Sequence, residues 1–147
     1  MKLNLCLAPV LLMGVVQGIE TSWHHHQVNP QGEVLEVHSC LSGPSLVGTM
    51  APSSGLYGAG LEWGVPFVVG PVLIGVAPQV GISHDSYGYK ELPMVTQFQV
   101  GGWVYGQYDR IVIGVKYWHL SNAGLHSTHR TPNKGLDLVA IMGGMSF

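Results

Sequence analysis

From residue 56 to the C-terminus the chain alternates, residue by residue, between greasy and small or polar side chains. This period-two pattern limits what the chain can fold into more than any other feature. Over 56–67 one set is Tyr57, Ala59, Leu61, Trp63, Val65 and Phe67, and the other is Gly58, Gly60, Glu62, Gly64 and Pro66. The pattern returns over 72–83, 94–106, 110–121 and 138–147. Alternation of this kind marks strands with two unlike faces. Gly and Pro interrupt every apolar run, so no later stretch reads as a membrane helix.

Two barrels satisfy such strands. A soluble barrel would turn its greasy face inward and could hold a small hydrophobic ligand. An outer-membrane barrel turns that face outward to lipid and keeps polar groups in its lumen. The second is favoured because Glu62, Gln97, Gln99, Arg110 and Lys116 fall on the non-greasy faces, where they can pair inside a narrow lumen. The final residue, Phe147, falls on the greasy face. Only 10% of the residues are charged, against roughly 25% in an ordinary soluble domain. A formal net charge of −2 gives no electrostatic case for nucleic acid.

The connections agree. A tight turn near Gly70-Pro71 is followed by a polar loop over 84–93, a short turn over 107–109 and a second long loop over 122–135. Short periplasmic turns and longer external loops alternate in this way in outer-membrane barrels. The strand 110–121 then runs outward and ends near the outer leaflet. The expected fold is therefore all-β, an antiparallel outer-membrane barrel of eight strands with a shortened or incomplete N-terminal part.

The first 18 residues read as an export signal: Lys2, an apolar stretch over 3–16, then Val16-Gln17-Gly18 as a cleavage site. The apolar stretch falls short of the ~20 residues a helix needs to span a bilayer. The expected organisation is a signal peptide over 1–18 and one barrel domain over 19–147, placed in the outer membrane. Loss of Cys6 with the signal would leave Cys40 alone, without an internal disulfide. Strand candidates before residue 55 are 22–28 and 32–40, which leaves the barrel short of staves.

Polar residues close the outward strand at His119, Ser121 and Asn122. His119 and Ser121 share parity with Ile111, Ile113, Val115 and Tyr117, and Asp137 shares parity with Val139, Ile141 and Phe147. An antiparallel hairpin sets the end of one strand beside the start of the next. A serine, a histidine and an acid can thus meet on the lipid-facing wall. Such a trio suits ester cleavage, because imidazole activates the hydroxyl and a carboxylate holds the imidazole's tautomer. Asn122, or the backbone N–H groups of Ala123 and Gly124, could stabilise the oxyanion. The spacing alone fits loop-edge residues making girdle hydrogen bonds equally well.

Residues 119–125, HLSNAGL, followed by 132–137, PNKGLD, resemble the signature of the lipid A 3-O-deacylases, the PagL-type acyloxyacyl hydrolases. The similarity spans roughly residues 55–147 and is strongest in the last third. It implies an eight-stranded barrel whose outer face carries a Ser-His-Glu triad, acting on lipid A of lipopolysaccharide without a metal or other cofactor. Ser121 would then be the nucleophile, His119 the base, and Asn122 the matching asparagine. Asp137 stands where the family has Glu, and the family's first strands are not recognisable before residue 55. The implied partners are lipopolysaccharide, outer-membrane lipid and, as a further candidate, a second copy of the chain. The alternative is a non-catalytic barrel of related ancestry, structural or adhesive.

Other polar groups fit simpler roles. Adjacent strand residues point to opposite faces, so His24, His25 and His26 do not converge on a metal. His126, His129, Arg130, Lys134 and Lys90 read as solvated loop groups or contacts to headgroup phosphates. Trp103, Tyr105, Tyr117 and Trp118 could form an aromatic girdle or fill the barrel. Neither a GxSxG elbow nor an HExxH helix is present.

Overall fold

The computed structural model describes residues 9–19, 31–86, 96–122 and 135–147. Eight antiparallel strands form a closed barrel: β1 (Val10–Ile19), β2 (Gln31–His38), β3 (Gly43–Ala51), β4 (Leu56–Val69), β5 (Val72–Asp85), β6 (Thr96–Tyr108), β7 (Ile111–Ser121) and β8 (Leu136–Ser146). Each strand pairs with the next in sequence, and β1 closes the barrel against β8 from Val10↔Ser146 to Ile19↔Asp137. At the seam the backbone N–H of Phe147 donates to the Pro9 carbonyl at 3.0 Å. Closure pairs every strand on both edges, which a sheet in hydrocarbon requires.

The greasy faces turn outward. Ile113 is 61% exposed and Ile141 67%, whereas Glu36 and Lys116 are both 0% exposed inside the lumen. This inverts the soluble arrangement and overturns the reading of a soluble barrel with a greasy ligand cavity. The exterior is an apolar belt that includes Leu61, Trp63, Phe67, Ile74, Val104 and Ile111. The chain folds as an outer-membrane-type β-barrel.

The lumen is filled, not open. Trp103, Tyr105 and Trp118 pack inside it, so three of the four expected girdle or filling aromatics are fillers. Tyr117 faces outward and is exposed. The Tyr105 hydroxyl donates to the Leu41 carbonyl. Gly75 lies against the Tyr105 ring, where a Cβ would sit 2.3 Å from Cζ, so any larger residue would displace the ring. Lys116 Nζ donates to both Glu36 oxygens, at 2.8 and 2.6 Å, and lies 4.9 Å from the centre of the Trp118 ring. Glu36 also accepts from the Thr49 hydroxyl at 2.6 Å. His38 bridges Glu36 (Nε2, 2.9 Å) and Glu62 (Nδ1, 3.2 Å).

Several expectations are corrected. The barrel is complete because β1, Val10–Ile19, supplies the missing stave from residues that overlap the apolar stretch 3–16 and the cleavage site 16–18 of the expected export signal. Its register leaves Val10 and Leu12 buried and Leu11, Met13 and Val15 exposed, the same in-out alternation as the other staves. Cys40 is disulfide-bonded, not alone. Arg110 occupies the exposed turn before β7 and does not join the lumenal pairs, which form around Lys116 instead. The strand expected over 32–40 is β2, while 43–51 supplies an unanticipated β3. The candidate strand 22–28 and the triplet His24, His25 and His26 lie outside the described residues.

The barrel seam gives a direct test. Excision of residues 1–18 would unpair β2 and β8 along one edge each. Peptide mapping of protein isolated from outer membranes is therefore expected to recover Val10–Ile19. A mature chain beginning at Ile19 would mean that the closure described above does not form.

Candidate functional site

The turns between β4 and β5 and between β6 and β7 are two residues long, closing on Val69↔Val72 and Tyr108↔Ile111. Both lie at one end of the barrel. The longer β5–β6 and β7–β8 connections lie at the other, as expected from the sequence. Short turns face the periplasm in barrels of this kind, so the long-loop end meets the outer leaflet. The last residues of β7 and the first of β8 are at that end.

Register brings the histidine and the acid face to face: His119 on β7 pairs directly with Asp137 on β8. Trp118, Leu120, Leu136 and Leu138 point into the core, so the intervening His119 and Asp137 project from the exterior wall. Imidazole Nδ1 and carboxylate Oδ1 are 2.9 Å apart. Ser121, two residues beyond His119, is partly buried and belongs to the same outward set; its cross-strand partner Phe98 is exposed on that wall. The expected exterior placement of all three groups is thus what the strands produce.

Asp137 lies on the outer wall yet is only 2% exposed. Two side chains of β7 meet its carboxylate. One is the His119 ring, whose side chain is 26% exposed. The other is Tyr117, which reaches diagonally and donates its hydroxyl to the same Oδ1 at 2.5 Å. A carboxylate at membrane depth without donors would cost several kcal/mol, so converging donors are what permit it there. The aspartate is one methylene shorter than the glutamate of the resembling family, yet it reaches the imidazole.

Gly135 sits immediately before β8 with φ +70°, in the left-handed region. A Cβ there would lie 2.6 Å from His119 Cε1 and 3.0 Å from Nε2. The glycine therefore both turns the chain into β8 and leaves room for the ring. Gly135→Ala is expected to push the imidazole from its place and cut any activity of the site by roughly 10–100-fold, the price of about an ångström of misplacement. Side-by-side rate and heat-modifiability measurements would check this; an alanine variant as fast as the wild type would mean that the ring tolerates the intrusion.

Asn122, directly after β7 and next to Ser121, is buried. Ala123 and Gly124, as well as His126, His129, Arg130, Lys134 and Lys90, lie outside the described residues. Sequence reasoning missed Tyr117, which it took for a girdle or filling residue. Its parity with His119 was visible in the chain, but the register that sets it diagonal to Asp137 was not.

No protein-family model matches the chain, and no curated protein matches it. Among solved structures the chain is similar to Ail, the attachment invasion locus protein of Yersinia pestis, in complex with the heparin analogue sucrose octasulfate. The identity is 11%, the match covers 95% of this chain and 98% of that one, and the TM-score is 0.47.

Proposed function

We propose that this outer-membrane-type barrel is a serine ester hydrolase that removes the 3-O-linked acyl chain of lipid A. The observation that carries the reading is the His119–Asp137 contact at 2.9 Å on the lipid-facing wall, one pleat below Ser121. Polar groups are costly on that wall, and a buried acid aimed at an imidazole has a plain use there. The HLSNAGL and PNKGLD resemblance supports the same choice of residues.

In this mechanism His119 Nε2 takes the Ser121 proton while Asp137 holds Nδ1–H and stabilises the imidazolium. Ser121 Oγ attacks the ester carbonyl, and the tetrahedral oxyanion is met by donors from Asn122 or the N–H groups of Ala123 and Gly124. Collapse expels the sugar hydroxyl, which receives the proton from His119. Water, activated by the same histidine, then cleaves the acyl-serine and releases the fatty acid. The acyl chain stays against the apolar wall throughout, so the bilayer itself supplies the greasy part of the site.

The test is mass spectrometry of lipid A from a Gram-negative host whose 3-linked chains are intact. Expression of the wild type is expected to yield lipid A lighter by one 3-linked acyl group, and Ser121→Ala to yield none of this product. Unaltered lipid A from a host with the folded wild-type barrel in its outer membrane would leave the non-catalytic alternative, a structural or adhesive barrel.

A further inference from the structure

We infer that Tyr117 is a positioning residue for the acid of this site, holding the Asp137 carboxylate in line with the His119 ring. The inference rests on the ester-hydrolase reading of the same residues and deepens it. Tyr117 is an exposed aromatic in the middle of an apolar wall, where a phenylalanine would serve lipid contact as well. Its hydroxyl is nevertheless spent on Asp137, and on the oxygen that also meets His119 Nδ1.

The geometry explains why one oxygen takes both bonds. His119 is directly opposite Asp137, whereas Tyr117 is opposite Val139, one pleat further along the barrel wall. The long phenol spans that diagonal, which an aspartate side chain cannot cover itself. The two donors thus approach Oδ1 from neighbouring positions of β7 and fix the rotation of the carboxylate about its short stem. Without the phenol, Oδ1 keeps only His119 of the two side-chain donors that meet it, and its alignment with the ring is less tightly defined. The hydroxyl also shares the negative charge, so the imidazole proton stays on Nδ1 as the mechanism needs. Tyr117 touches neither the ester nor the nucleophile in this scheme; it acts through Asp137.

Tyr117→Phe removes the hydroxyl and keeps the ring. The expected result is a fall in kcat of roughly 10–100-fold, the size of one hydrogen bond to a charged group, with KM little changed. In an Asp137→Asn background the same substitution is expected to cost less than about 3-fold, because there is no longer a carboxylate to hold. A tyrosine that merely packs would exact an equal cost in both backgrounds, and that result would overturn the inference. So would wild-type kcat in Tyr117→Phe.

A second readout separates this inference from the choice of substrate. The rate at which a fluorophosphonate probe labels Ser121 in the detergent-solubilised full chain reports nucleophile activation without lipid A. Labelling of the wild type that slows in Tyr117→Phe supports the positioning role even if lipid A is left intact, in which case only the substrate reading fails. Equal labelling of the two proteins overturns the role while leaving deacylation standing. A wild type that is neither labelled at Ser121 nor active on lipid A overturns both.

Discussion

Asp137→Asn is expected to lower the deacylation rate by about 10⁴-fold while the barrel stays folded, the loss found when the acid of a serine triad is neutralised. An aspartate at Oδ1 can only accept, so it dictates that the imidazole carries its proton on Nδ1. An asparagine offers an amide donor in nearly the same volume. When that amide faces the ring, Nδ1 must be the acceptor and the proton moves to Nε2, the nitrogen meant to take the serine proton. If the amide turns its oxygen to the ring instead, the tautomer survives but no charge offsets the imidazolium. Both routes raise the barrier, and neither disturbs the strand pairing that holds β7 to β8. Rates in mixed micelles, set against Ser121→Ala as the baseline, give the measurement. Activity within 10-fold of wild type would remove Asp137 from the mechanism. Asp137→Glu, by contrast, gains nothing from its longer reach, because the contact is already made at 2.9 Å, and the extra methylene must enter a closed space. Its rate is expected at or below that of the wild type.

How much of this was legible in the sequence depended on contrast between the two faces of each strand. From residue 56 onward the contrast is sharp: Leu61, Trp63 and Val65 outside alternate with Glu62 and Gly64 inside, so both strand and facing could be read. In β1 the contrast vanishes. Its lumenal residues Val10 and Leu12 are as greasy as its lipid-facing Leu11 and Met13, and behind Lys2 such a run is indistinguishable by composition from an export signal. That substitution also made the count of staves fail, since three strands were being sought in the space of two. β3 hid for a related reason: small and hydroxyl residues fall on both of its faces, with Gly48 outside and Ser45 and Thr49 inside.

The site divides along similar lines. His119, Ser121 and Asp137 could be placed on one wall by parity alone, because parity survives any uncertainty about register. Which of them touch could not. That needed the alignment of β7 against β8, fixed by the whole length of the pair from Ile111↔Met145 to Leu120↔Leu136. Tyr117 became a partner of Asp137 only through that alignment. The same holds in the lumen, where Glu36 and Lys116 are 80 residues apart in the chain and meet only because the barrel closes.

That lumenal pair carries the second large effect. Lys116→Met is expected to destabilise the barrel by about 3–5 kcal/mol, because it strands the Glu36 carboxylate in a sealed interior. His38 and Thr49 remain as partners of Glu36, but neither replaces an ammonium that contacts both oxygens. Glu36→Leu should be costly for the mirror reason, leaving the lysine without a counter-charge at its nitrogen. The two changes together should cost clearly less than the sum of their separate costs, since a buried pair replaced whole by apolar groups is often close to neutral. Urea titrations of the heat-modifiable form in detergent micelles would measure all three, and strictly additive losses would mean that the pair is not directly coupled. The experiment bears on function as well as on stability. Lys116 and Tyr117 are neighbours on β7 that face opposite ways, one anchoring the strand to β2 across the lumen and the other holding the acid outside. Weakening the anchor is therefore expected to reduce activity only in proportion to the fraction unfolded, whereas Asp137→Asn lowers it by about 10⁴-fold in a fully folded barrel.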